Sequence, residues 1–71
     1  MLSEKEKEIL KRAIELEESG KPSWTWWEVK AFPAELMKLV IKGFVEVANK
    51  KQTGPTRYRL VDREAAKRVI A

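Results

Sequence analysis

Cysteine and histidine are both absent from the 71 residues. Without cysteine there is neither a disulfide framework nor a thiolate metal site. Without histidine, the usual general base and the commonest nitrogen metal ligand are missing. Ser-His and Cys-His catalysis are excluded. The chain therefore reads as a non-enzyme with no cofactor and no metal. No apolar run approaches the roughly 20 residues needed to span a bilayer. The charged opening, Met1 to Glu8, lacks the apolar core of a signal peptide, which predicts a cytoplasmic protein with no membrane partner. Asn and Gln appear once each beside many Lys and Glu, a bias also met in archaeal and other hyperthermophile proteins.

What is present fits a single domain over residues 1–71, close to the lower size limit for folding without staples. The net charge of +4 is unevenly placed. Residues 1–32 hold six basic and seven acidic side chains, residues 33–61 six and two, residues 62–71 three and two. From Ala48 to Val61 there are four basic residues and no acidic one. A one-sided patch of this kind suits a polyanion, whereas the plain alternative is a solvated lysine-rich surface.

Ser3 and Glu6 form a capping-box pair at the start of the first element. Ile9, Leu10, Ala13, Ile14 and Leu16 then follow helical spacing, and Gly20 and Pro22 stop the helix. Ser23-Trp24-Thr25 reads as a short extended piece that could pair with a later hairpin. Thr25 and Glu28 form a second capping-box pair and predict a helix from Trp26 to Ala31. Trp24 and one neighbour are expected in the core. Trp26 and Trp27 lie about 100° apart on a helix, so one of them should be partly exposed. An exposed ring there would serve base stacking or a protein partner.

Pro33 is suited to a first helical position. Leu36, Leu39 and Val40 define a buried stripe, which Met37 and Ile41 are expected to widen. The opposite face would carry Ala34, Glu35, Lys38 and Lys42, the two lysines pointing the same way. Two short helices joined by a tight turn make a helix-turn-helix. Gly43 ends the second one, and Phe44 should anchor the turn. Val45 and Val47 alternate with Glu46 and Ala48; Tyr58 and Leu60 alternate with Arg57 and Arg59. Both stretches read as half-buried strands. Between them lies a polar, basic loop, Asn49 to Pro55. Glu46 is expected to face Arg57 or Arg59 across the ladder. Asp62 caps a last helix, Arg63 to Ile70, which either packs on the first helix or offers a dimer surface.

The residues Leu36-x-x-Leu39-Val40-x-x-Gly43-Phe44-Val45-x-Val47 and Arg57-Tyr58-Arg59-Leu60 stand in this order of elements. The chain resembles the winged-helix family of helix-turn-helix DNA-binding domains. The resemblance implies an α+β fold: a three-helix helix-turn-helix core, a two-stranded β wing and a C-terminal helix. It also implies double-stranded DNA as partner, with Lys38 and Lys42 on the helix and Lys50, Lys51, Gln52, Thr53, Arg57 and Arg59 on the wing as contacts. The helix face departs from the family in lacking Arg, Asn, Gln and Ser, the side chains that most often read base edges. Backbone contact driven by counterion release is therefore expected rather than strong base readout. A DNA-binding module of this kind would belong to an archaeal-type transcription regulator, or serve as an accessory domain of a replication protein such as a helicase. The rival expectation is a protein-interaction winged helix that uses Trp26 and Trp27.

Overall fold

Ser3 begins the first helix as the sequence predicts. Its hydroxyl accepts the Glu6 N–H at 3.1 Å, and the Glu6 carboxylate accepts the Ser3 N–H at 2.9 Å. In the computed structural model, which describes residues 2–49 and 54–70, the order is α1 (Glu4–Glu18), α2 (Pro33–Ile41), β1 (Val45–Val47), β2 (Tyr58–Leu60) and α3 (Arg63–Ile70). The protein is thus a small α+β domain with three helices and one two-stranded antiparallel sheet. Both α1 and α2 end in the same way. Gly20 (φ 111°) and Gly43 (φ 87°) take the left-handed conformation, and the next residue's N–H bonds back to Leu16 or Leu39. A side chain at either glycine would be strained there.

The core is filled by Ile9, Leu10, Ala13 and Ile14 of α1, Leu36 and Leu39 of α2, Val45, Tyr58 and Leu60 of the sheet, Ala66 of α3, and Trp24, Val29 and Ala31 between α1 and α2. Trp24 is fully buried and stacks on Tyr58, ring centroids 5.8 Å apart. The extended reading of Ser23-Trp24-Thr25 holds. Trp24 and Tyr58 exchange both backbone hydrogen bonds, at 2.9 and 2.8 Å. Among the described residues one pair bridges on that side, so β2 soon runs out of partners. A carboxylate takes over. Glu17 Oε2 accepts the Leu60 N–H at 2.7 Å and the Trp24 indole N–H at 3.1 Å. Its other oxygen lies 3.4 Å from the Arg63 guanidinium. One side chain on α1 thereby ties together the Trp24 segment, β2 and α3.

The helix expected over Trp26 to Ala31 does not form; residues 26–30 are turn. The Thr25–Glu28 pair is present, with the Glu28 carboxylate accepting the Thr25 N–H and hydroxyl at 3.0 Å each. Two constraints stop it from propagating. Lys30 sits at φ 54°, outside the helical region, and Phe32 is held extended before Pro33. A helix confined to six residues would not recover its nucleation cost. A further correction concerns the tryptophans. Trp24 alone enters the core, while Trp26 and Trp27 are 39% and 49% exposed.

α3 packs on α1, which decides between the two roles open to it. Asp62 accepts the N–H groups of Glu64 and Ala65, Ala66 is fully buried, and Lys67 pairs with Glu18.

Candidate functional site

The sheet is a hairpin in which Glu46 stands opposite Arg59 and Val47 opposite Tyr58. Its inner face gives Val45, Tyr58 and Leu60 to the core, while Arg57 and Arg59 face solvent. Arg59 pairs with Glu46 at 2.8 Å, as the alternation implies. Asn49 closes the hairpin below its loop. Its amide donates to the Pro55 carbonyl at 2.9 Å and accepts the Arg57 N–H at 2.7 Å. The Arg57 guanidinium leans toward the Ser23 hydroxyl, 3.5 Å away, and has no carboxylate partner among the described residues. Lys50, Lys51, Gln52 and Thr53 lie outside the described residues.

The outward face of α2 differs from expectation. Met37 and Ile41 do not widen the buried stripe; they are 49% and 78% exposed. The helical wheel explains it. Ile41 stands about 200° from Leu39, and no element among the described residues covers that side. Lys38 shares the open face and has no ion-pair partner among the described residues. Lys42 does not stand beside it. At the end of α2 its ammonium reaches α1 and bonds both Glu6 oxygens, at 3.0 and 2.8 Å. Of the eight residues proposed to contact nucleic acid, Lys38 and Arg57 are therefore open cations. Lys42 and Arg59 are engaged by carboxylates, so any further partner must compete with Glu6 and Glu46.

No family model matches this chain, and no curated protein or solved structure matches it. Among the described residues, no group of three or more carboxylate, imidazole or thiolate side chains is placed to hold a metal ion. No helix there is long and apolar enough to cross a membrane.

Sequence reasoning found the Ser3–Glu6 cap but missed the tie of Glu6 to Lys42 and the ties made by Glu17. Lys42 and the Ser3 N–H hold the Glu6 carboxyl down from its usual 4.5 to about 2. A group depressed in this way stabilises the fold above its unfolded pKa. That contribution fades as pH falls from about 4.5 toward 2. Lys42 is 36% exposed, so solvent screens part of the pair, and a contribution of ~1–2 kcal/mol is expected. Glu6→Gln should flatten the acid limb of a urea-midpoint profile by that amount. An unchanged limb would show that Glu6 gains nothing from Lys42.

Proposed function

We propose that the protein is a non-enzymatic, winged-helix module that binds double-stranded DNA mainly through the phosphate backbone. The observation that carries this reading is the hairpin. The sequence from Ala48 to Val61 holds four basic residues and no acidic one, and Glu46 on the facing strand engages only Arg59 among the described ones. The hairpin's apolar face is anchored in the core. A rigid base with a cationic edge is suited to following a phosphate ridge, because each neutralised phosphate releases counterions. On this reading α2 is the third helix of the family pattern and the hairpin is the wing. The Trp26–Ala31 turn stands where the family places a helix.

The α2 face supports low sequence specificity. Met37 and Ile41 offer no hydrogen bonds to base edges and could touch only thymine methyl groups. Lys38 is left as a point charge, suited to phosphate. In fluorescence-anisotropy titrations, duplexes of unrelated sequence should bind with similar affinity. Lys38→Ala should weaken all of them by about the same few-fold factor. A selective loss on one sequence would mean that α2 reads bases.

A second reading rests on those same two residues. An exposed Met37–Ile41 pair at i, i+4 spacing is a contact surface for an apolar helix of another protein. It is favoured if duplex binding is absent and Ile41→Asp leaves the fold intact but abolishes capture of a specific protein. On either reading, a parent transcription regulator or replication protein is the setting in which such a module would serve.

A further inference from the structure

We propose that the Trp26–Trp27 turn is a stacking site for unpaired DNA bases, so that the domain prefers a duplex bearing a single-stranded tail to a blunt one. This deepens the DNA-binding reading above and rests on it. Three observations lead there.

The first is exposure. A chain that buries Trp24 completely leaves the next two indoles 39% and 49% open to water. The rings meet edge to face, with centroids 5.6 Å apart and planes at 85°. In that arrangement the edge of one ring covers part of one face of the other, and the rings do not stack face to face. The open face of an indole is the surface on which any base can stack, whatever its identity.

The second is rigidity. The turn is pinned on both sides of the rings. Thr25 is buried and bonded to Glu28, and Lys21 pairs with the other Glu28 oxygen. Val29 and Ala31 are buried, and the Ala31 N–H bonds the Trp26 carbonyl at 3.0 Å. Holding the backbone in place lowers the ordering cost of a stacked ligand.

The third is charge. The turn leaves the backbone bridge at Trp24, whose partner Tyr58 opens β2 directly after Arg57. The Arg57 guanidinium already leans across to Ser23, three residues before Trp26. Lys30, in the turn itself, is exposed and has no carboxylate partner among the described residues. Two exposed indoles flanked in the chain by Ser23, which Arg57 reaches, and by Lys30 match bases joined by phosphates better than the apolar side chains of a protein. A strand leaving the duplex at the wing would pass Arg57 and meet the indoles.

The test compares a blunt duplex, the same duplex with oligothymidine tails, and oligothymidine alone, by anisotropy and tryptophan emission. The tailed duplex is expected to bind about ten-fold tighter than the blunt one and to quench the emission of the exposed indoles. The double variant Trp26→Ala, Trp27→Ala should lose the tail preference and keep blunt-duplex affinity. Buried Trp24 reports its fold. If that variant fails to fold, Trp26→Phe with Trp27→Phe replaces it and should keep a reduced preference. Equal affinity for blunt and tailed duplexes would overturn the stacking site alone, as would a preference that survives loss of both rings. Absence of binding to every probe would overturn the DNA reading with it. Exposed indoles masked by a protein, with no effect of tails, would assign the turn to protein contact.

Discussion

Replacing Glu17 by alanine is expected to remove most of the domain's stability. The side chain is only 7% exposed, on a helix where Glu4, Glu8, Glu15 and Glu18 are exposed and Glu6 alone is likewise buried. It accepts two N–H donors, one from the Leu60 backbone and one from the Trp24 indole. Both donors belong to buried residues. Hydrogen bonds to an ionised acceptor contribute ~1.5–3 kcal/mol each, and a buried donor left alone forfeits its hydration as well. A combined loss of ~3–5 kcal/mol follows. Small domains of this size hold about 5 kcal/mol in total. Urea unfolding followed by tryptophan emission should show the midpoint collapse toward zero. Glu17→Gln keeps an acceptor and should cost about half as much. A loss below ~1 kcal/mol in the alanine variant would mean that water satisfies both donors, and that the tie is decorative.

The second large effect concerns binding. Reversing Lys50, Lys51 and Arg57 to glutamate takes the formal charge from +4 to −2, since each reversal removes two units. Three phosphate contacts become three repulsions. Duplex affinity should fall by about 100-fold or more near physiological salt. The remaining affinity should respond weakly to salt. The fold should survive, because Arg57 is exposed and its backbone bond to Asn49 does not need the side chain. Unchanged affinity in the reversed variant would remove the hairpin from the interface.

Local signals in the sequence carried much of the fold. The Ser3–Glu6 and Asp62 caps, the Gly43 stop and the alternation at Val45–Val47 and Tyr58–Leu60 depend on near neighbours, so a single chain displays them. The Trp24 bridge was legible too, because a β-compatible triplet lies between a helix stop and a capping pair. What escaped depends on distant parts of the chain. The Thr25–Glu28 pair forms, but Lys30 and Phe32-Pro33 turn it into a turn rather than a helix. Met37 and Ile41 have the spacing of core residues, but no element among the described residues covers their side of α2. Glu17 looks like one more solvated acid until β2 and Trp24 arrive against it.

The candidate site was legible as charge but not as geometry. Lys38 and Lys42 are four apart, and that spacing alone would put them together. The Glu6 carboxylate instead draws Lys42 toward α1. This leaves α2 with one open cation among apolar neighbours, and it shifts the weight of the binding case to the hairpin. The exposed indoles, which follow the Ser23 that Arg57 reaches, then make the combined surface asymmetric. One part is suited to phosphates, the other to flat aromatic ligands.

Binding of duplex DNA through its phosphates must show in the salt dependence of affinity. Lys38, Lys50, Lys51 and Arg57 would neutralise four phosphates, so log affinity should fall against log salt with a slope of about −3 to −4. Between about 50 mM and 200 mM salt, affinity for any duplex should drop about 100-fold. A slope near zero, or no duplex binding at the lower salt, would contradict it.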